Sequence, residues 1–231
     1  MDQDFEYYYN NVPGKGLCRN NLIYTTLINK SKTILCQHYV NDTDYHKGQN
    51  QVVDPKLMEE KWLREVNYFT QMRNAYPLLV PEITNIDLDR KKIYMKIQGV
   101  DFWQQTLDNN CTYDELLPDW QEQMLDIFKA HKSLGIYKYS LHPSSYFIVD
   151  GKLKSINYFF CYKDIDRPIS LRSVMSHISE ERQEDLFPKM SAMGIDVDEL
   201  TTFKKIQQLA FESFKTNFPA DFIEKAKQIY E

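Results

Sequence analysis

The chain has 231 residues, of which 42% are hydrophobic and 26% are charged, and its mean hydropathy is −0.56. This composition is typical of a folded globular protein and excludes disordered, collagen-like and membrane-bundle classes. With 28 basic and 33 acidic residues the net charge is −5, so the chain as a whole does not attract nucleic acids, and we expect none as partners. The length predicts one large domain or two small lobes.

The sequence predicts a cytoplasmic protein with reduced thiols. Residues 1–10 are acidic and aromatic, without the basic and apolar regions of a secretory signal, and no apolar run approaches the ~18 residues of a membrane span. The cysteines form no C-x-x-C pair and no zinc-finger spacing with a histidine. They are Cys18, Cys36, Cys111 and Cys161. We therefore expect no membrane insertion and no metal site.

The first hundred residues predict an antiparallel sheet and one helix. Five segments rich in β-branched and aromatic residues predict the strands, with polar hairpin turns at 29–32 and 89–92. These segments are 5–10, 22–28, 33–40, 83–88 and 93–97. A helix from Asp54 to about Ala75 is predicted, because Asp54 is a good N-cap, Pro55 suits the first turn, and apolar residues follow at helical spacing.

After Gly99 the pattern becomes helical. Helices are predicted at 102–107, 113–117 and 119–134, and a β-hairpin at 146–160 turns at Asp150-Gly151. The second strand of this hairpin is predicted to span 153–160. Three or four more helices are predicted between 170 and 230, and their aromatic residues are interpreted as core. The expected breaks between these helices are near Pro188, Gly194 and Pro219.

This order of elements, together with two local strings, resembles the protein-kinase-like fold and its small aminoglycoside and lipopolysaccharide kinase relatives. AHKSLGIY at 130–137 is similar to the end of the helix that leads into the catalytic loop. KYSLHPSSYFIVDGKLKSINYF at 138–159 is similar in spacing to H-R-D-L-K-P-x-N-I-L, a hairpin and D-F-G. The resemblance implies a two-lobed α+β fold, with a five-stranded N-lobe at 1–99 and a mainly helical C-lobe at 100–231.

The resemblance also implies where phosphoryl-transfer residues should lie, and the sequence departs from the family there. Ser140 stands at the catalytic aspartate, and a hydroxyl is not a base at neutral pH. Ser145 stands at the metal-binding asparagine and Asn157 at the aspartate of D-F-G. Because Mg²⁺ prefers charged oxygen ligands, these neutral groups would hold it poorly. His142 replaces the lysine of the loop.

The phosphate-binding end of the family pattern is altered as well. The lysine of the third strand is replaced by Gln37, or by His38 if the strand is shifted by one residue, while its usual partner is matched by Glu65. Residues 13–19 resemble a glycine-rich loop that lacks its third glycine, so phosphate binding by Lys15 and Arg19 and an ordinary turn are both open.

The degenerate catalytic positions are therefore Ser140 and His142. A cleft between the lobes is the candidate ligand site, and three alternatives stay open for it: a nucleotide such as ATP without metal, another small molecule, or no ligand. Its expected lining residues are Lys15, Arg19, Gln37, Glu65, Met95, Ile97, Ser145 and Asn157. Carboxylates from unfamiliar positions, Asp150, Asp164 or Asp166, are an alternative metal source, although Asp150 is better explained as a turn residue.

Three functions follow from these departures. The first is a kinase-like protein that has lost orthodox phosphoryl transfer and serves as a binding or regulatory module with a protein or small-molecule partner, a pseudokinase. The second is an active, atypical phosphotransferase that uses ATP on a small-molecule acceptor. The third is a structural or assembly protein whose kinase-like shape is incidental, since a fold by itself does not determine a function.

Overall fold

The protein has an α+β architecture in which a five-stranded antiparallel sheet precedes a mainly helical region. A computed structural model describes residues 4–12, 15–18, 24–39, 55–163, 168–175, 180–192 and 194–231. None of the helices within these ranges combines the length and apolar character needed to cross a bilayer.

The sheet region contains seven strands and a long helix. In chain order they are β1 (Phe5–Tyr7), β2 (Tyr9–Val12), β3 (Lys15–Cys18), β4 (Thr25–Asn29), β5 (Ile34–His38), helix α1 (Pro55–Ala75), β6 (Ile83–Asp87) and β7 (Lys92–Lys96). The main sheet has the spatial order β1-β4-β5-β7-β6, and every pair in it is antiparallel. Strands β2 and β3 form a separate hairpin.

The predicted turns of the sheet are confirmed. Asn29 ends β4, and its side-chain oxygen accepts hydrogen bonds from the backbone N–H groups of Thr33 and Ile34, both at 2.8 Å. Lys91 in the second turn has a φ of 52°, the left-handed conformation that tight turns require. The predicted first strand at 5–10 is wrong as one unit. It divides at Tyr8 into β1 and β2, because the buried Tyr8 side chain binds a residue outside the sheet.

Helix α1 buries one face against the sheet and the helical region. Trp62, Glu65, Phe69 and Met72 follow one another at three- and four-residue spacing and are all buried. The predicted start of the helix at Pro55 is confirmed, whereas its predicted N-cap, Asp54, lies outside the described residues. Glu65 and the equally buried Lys61 are thus the two charged members of an otherwise apolar helix face.

The helical region begins at residue 102. Its helices are α2 (Phe102–Asn109), α3 (Tyr113–Leu116), α4 (Trp120–Ser133), α5 (Leu171–Val174), α6 (Glu180–Ala192), α7 (Phe203–Phe214) and α8 (Ala220–Ile229). Six short strands lie among them: β8 (Tyr137–Lys138), β9 (Tyr146–Val149), β10 (Lys152–Ser155), β11 (Cys161–Tyr162), β12 (Ile169–Ser170) and β13 (Leu200–Thr201). Strands β9 and β10 form a hairpin, β8 pairs with β11, and β12 pairs with β13.

Two boundaries in the helical region correct the sequence-based expectation. The second hairpin strand ends at Ser155 instead of residue 160, because Asn157 adopts a left-handed conformation with φ 66° that a strand cannot contain. Helix α6 continues through Pro188. Pro188 and Glu184, whose carbonyl loses its helical partner, are both exposed, so water can bond that carbonyl. The predicted breaks at Gly194 and Pro219 are confirmed.

One contiguous core joins the sheet region to the helical region. Trp120 is fully buried, and its ring lies 4.8 Å from Phe222 and 5.9 Å from Phe218 between ring centroids. The interpretation of the C-terminal aromatic residues as core is therefore confirmed for the buried side chains of α7 and α8.

A buried hydroxyl connects the N-terminal strand to the start of α2. Tyr8 Oη donates to Asp101 Oδ2 at 2.7 Å and accepts from the Asp101 backbone N–H at 3.0 Å, while Asp101 Oδ1 caps α2 at Gln104 N. We expect Tyr8→Phe to lower the free energy of unfolding by about 1–2 kcal/mol, because both buried bonds are lost. Urea denaturation measures this loss.

Tyr76→Phe is the matched control for that substitution. The Tyr76 hydroxyl pairs with Ser133 Oγ at 2.7 Å in an exposed position, where water can replace it, and we expect a loss below about 0.5 kcal/mol. Equal losses in the two variants would contradict the importance of the buried contact.

Candidate functional site

Four uncharged side chains form a buried hydrogen-bonded chain between the sheet and the helical region. Gln37 Nε2 donates to Asn157 Oδ1 at 2.6 Å, and Asn157 Nδ2 donates to Ser145 Oγ at 3.0 Å. Ser145 Oγ lies 2.8 Å from Ser140 Oγ. Each of the four residues is less than a tenth exposed. Residues that are far apart in the sequence thus meet at one place.

The local backbone explains how these side chains reach one another. Gln37 shares a face of β5 with the core residue Leu35, because alternate residues of a strand point the same way. Ser145 ends a one-turn 3-10 helix, Pro143–Ser145, whose N-cap His142 accepts from the Ser144 N–H. Asparagine is one of the few residue types that adopt φ values near 66° readily. This backbone conformation turns the Asn157 side-chain amide toward both partners.

A buried lysine holds the turn at Asn157. Lys138, in β8, donates from Nζ to the carbonyl oxygens of Ile156 at 2.5 Å and Asn157 at 2.7 Å, and it lies 4.9 Å from the centroid of the Tyr158 ring. Burial lowers the pKa of Lys138, and the nearby Cys161 and Glu65 oppose this shift. Both carbonyls therefore receive charge-assisted bonds inside the core.

Glu65 supplies the carboxylate nearest to that lysine. Its Oε2 accepts from the Phe159 backbone N–H at 2.7 Å and from Tyr39 Oη at 3.0 Å. Burial raises the pKa of Glu65 to about 7, against the opposing effects of Lys138 and of the Phe159 N–H. Within the described part of the chain, Glu65 and Gln37 share no hydrogen bond, and each leaves one buried oxygen, Oε1, without a partner.

His131 completes this group of buried ionisable side chains. Its Nε2 lies 3.2 Å from Tyr158 Oη, and its Nδ1 is buried without a hydrogen-bond partner among the described residues. Burial lowers the pKa of His131 well below the usual value, and the charge of Lys138 lowers it further. His131 is therefore a neutral imidazole at neutral pH.

The side chains of Met95, Ile97 and His142 lie outside this hydrogen-bonded chain. Met95 and Ile97 are buried in the core. The His142 ring packs edge-on against Trp103 at 4.9 Å and against Phe214 at 6.0 Å between ring centroids. Lys15 lies in β3 opposite Val12. Arg19, Asp164 and Asp166 lie outside the described residues.

Asp150 has the role expected of a turn residue. Asp150 and Gly151 have φ values of 52° and 70°, which are typical of the Asn-Gly and Asp-Gly hairpin turns. The Asp150 carboxylate accepts from Gln98 Nε2 at 2.6 Å. Among the described residues, no group of three or more His, Cys, Asp and Glu side chains could hold a metal ion.

Sequence reasoning did not identify Lys138 as part of the site. In the kinase pattern Lys138 stands at the position of the loop histidine. Its burial was not predicted, because a lysine in a sequence is expected to be exposed. Its two aromatic neighbours, Tyr137 and Tyr139, are the one local hint that the position is buried.

Comparisons with known proteins name no relative. The chain matches none of the protein-family models, and its comparison with curated proteins gives no match. The support for any proposed function therefore comes from the chain's own residues and not from a relative.

Proposed function

We propose that this chain is a kinase-like protein that has lost phosphoryl transfer and acts as a binding or regulatory module. The observation that carries the proposal is the uncharged chain Gln37, Asn157, Ser145 and Ser140. In the kinase resemblance these four positions correspond to a lysine, an aspartate, an asparagine and an aspartate. Here the same positions satisfy one another, at distances of 2.6 to 3.0 Å, inside the core.

The residues present do not fit a magnesium nucleotide. Asn157 offers an amide where the family offers a carboxylate, and both ends of that amide are already bonded, to Gln37 and to Ser145. Mg²⁺ is usually held in phosphate sites by one or two carboxylates. Ser140, whose hydroxyl pairs with Ser145, cannot accept a proton from an acceptor hydroxyl at neutral pH.

The position of Glu65 supports the same proposal. In the family this carboxylate pairs with the lysine of the third strand and fixes it on the phosphates. In this chain Glu65 binds the Phe159 N–H and Tyr39 Oη, while Gln37 binds Asn157. Both side chains therefore stabilise the 157–159 turn and offer no cation to a phosphate group.

A thermal-shift titration with ATP, ADP and GTP, each with and without Mg²⁺, tests the proposal. A nucleotide present at about 100 times its Kd would stabilise the fold by about 2.7 kcal/mol, which raises Tm by roughly 5–10 °C in a chain of this size. We expect shifts below about 1 °C for every nucleotide under these conditions.

The rival function, an atypical phosphotransferase, predicts a different result. It requires a Mg²⁺-dependent shift that disappears in Asn157→Ala and persists in the control Asn109→Ala, whose side chain is exposed at the end of α2. It also requires ATP turnover with some acceptor. That combination would overturn the proposal, whereas a shift independent of Mg²⁺ would retain the loss of catalysis and make a nucleotide the bound ligand.

A further inference from the structure

Two neighbouring cavities flank the exposed segment between α1 and β6. The segment contains a one-turn 3-10 helix, Pro77–Leu79, and Pro77 lines both cavities. Leu78 lies at the tip of this turn and is 75% exposed, more than the other exposed large hydrophobic residues of the described chain. Leu78 also lines the larger cavity together with Tyr76 and Leu79, so its exposed side chain belongs to a contiguous apolar surface, the kind of feature that marks an interaction site.

The first cavity is an apolar groove between this segment and helix α4. Its volume is 610 Å³, and the side chains of Tyr76, Leu78, Leu79 and Ala130 contribute to its walls. The charged residues at its edge, Asp126 and Lys129, neutralise each other in an ion pair of 2.8 Å. The groove can therefore take one or two apolar side chains of a ligand and offers no net charge to them.

The second cavity is small and charged. It has a volume of 330 Å³ and is lined by three cations, Arg73, Lys96 and Lys154, and by two carboxylates, Glu82 and Asp150. The lining thus carries one positive charge in excess, although the whole chain carries −5. An anion is the ligand that this balance favours.

Arg73 is the cation that remains available in this cavity. Lys96 lies 3.8 Å from Glu82, Lys154 Nζ binds the Leu78 carbonyl oxygen, and Asp150 is held by Gln98. Arg73 is exposed in the last turn of α1 and makes no ion pair with any residue that the structure describes. A guanidinium group is well suited to bind a carboxylate through two parallel hydrogen bonds.

The segment that joins the two cavities is fixed from both sides. Tyr76 Oη pairs with Ser133 Oγ of α4, and Lys154 of β10 binds the Leu78 carbonyl. The backbone N–H of Tyr76 also continues the hydrogen bonding of α1 by donating to Met72 O at 2.7 Å. A surface ordered before binding loses less conformational entropy when a ligand arrives.

We propose that this surface docks a segment of a partner protein that carries an apolar side chain and a carboxylate close to each other in its sequence. The apolar side chain occupies the groove beside Leu78, and the carboxylate binds Arg73 in the charged cavity. The inference rests on the proposed binding role and names the site and the class of partner. The net charge of −5 on the whole chain disfavours a nucleic acid, because a long polyanionic backbone would be repelled well beyond this one cavity.

Selection from a library of short random displayed peptides tests the inference. We expect the peptides enriched on the wild-type chain to share an apolar residue with an Asp or Glu within a few positions on either side of it. Fluorescence anisotropy with one synthetic peptide of this kind then gives Kd, and we expect Leu78→Asp and Arg73→Glu each to weaken binding by about tenfold or more.

Two variants on another exposed turn serve as matched controls. Leu88→Asp and Arg90→Glu make the same chemical changes in the turn between β6 and β7, where Leu88 is 66% exposed and the Arg90 side chain 75% exposed. We expect both to bind the peptide as the wild type does. Circular dichroism confirms that all four variants remain folded.

Three outcomes would overturn the inference: enriched peptides without acidic residues, equal binding by Arg73→Glu and the wild type, or light scattering that shows a dimer dissociated by Leu78→Asp. The last outcome would assign the surface to a second copy of the chain.

The nucleotide titration is independent of these results. A Mg²⁺-dependent shift contradicts the loss of catalysis without affecting peptide binding, and failed peptide binding leaves the nucleotide result unchanged.

Discussion

Replacement of Lys138 by methionine is expected to lower the free energy of unfolding by about 3–5 kcal/mol. The ammonium group donates to two buried carbonyl oxygens, those of Ile156 and Asn157, and methionine can donate to neither. The substitution also removes the positive charge that stabilises the ionised form of Glu65, so the pKa of Glu65 rises further above its usual value. Urea denaturation at neutral pH measures the loss.

Lys152→Met is the control for this substitution. Lys152 lies in β10 of the adjoining hairpin, its side chain is 62% exposed, and its only ion pair among the described residues, with Asp119, is 3.8 Å long. We expect its loss to change the stability by less than about 1 kcal/mol. If Lys138→Met were as mild as Lys152→Met, the buried contacts of Lys138 would not be what holds the turn at Asn157.

Local signals were sufficient to predict most of the sheet and its turns. The polar run that begins at Asn29 and the Asp150-Gly151 pair each determine a turn through the conformations that their own backbones prefer. The early end of β10 could not be predicted in this way. Asn157 is turned out of the strand by contacts with Lys138 and Gln37, which lie 19 and 120 positions away in the sequence.

The candidate site was predictable only in part, for a related reason. Aligning the chain with the kinase pattern selected Gln37, Ser140, Ser145 and Asn157, and these side chains do lie in one hydrogen-bonded chain. The alignment matched Glu65 to the usual partner of the third-strand lysine, the position that Gln37 occupies. It could not indicate that the Glu65 carboxylate accepts from the Phe159 N–H instead. Burial, which decides the pKa values of Glu65 and Lys138, is a property of the folded chain alone.

The second large effect is a pH dependence in which Glu65 and His131 act in opposite directions. The pKa of Glu65 is raised from 4.5 to about 7 by burial, so its folded carboxyl retains a proton that the unfolded chain loses above pH 4.5. The contribution of Glu65 to the free energy of unfolding is therefore fully present below pH 4.5 and is lost as the pH rises to about 7. The pKa of His131 is lowered well below 6.5, so stability from His131 is present above pH 6.5 and is lost as the pH falls.

Between about pH 5 and 6.5 the two groups change the free energy of unfolding with opposite sign, and the part due to Glu65 is about 1.4 kcal/mol per pH unit. Single substitutions separate the two groups. We expect Glu65→Gln to lose stability on acidification across this window, since His131 then titrates without the opposing effect of Glu65. We expect His131→Gln to gain about 2 kcal/mol across the same window, since only Glu65 then titrates.

Urea denaturation of the wild type and of both variants at several pH values in this window gives the three slopes. Exposed acidic groups such as Glu115 and Asp198 are common to all three proteins, so the differences between slopes report only Glu65 and His131. Parallel curves for Glu65→Gln and the wild type would contradict a raised pKa at Glu65. Opposite slopes would show that the carboxyl of Glu65 is held by the fold as a partly protonated structural group, as the proposed function expects of a carboxylate without a phosphate-binding cation beside it.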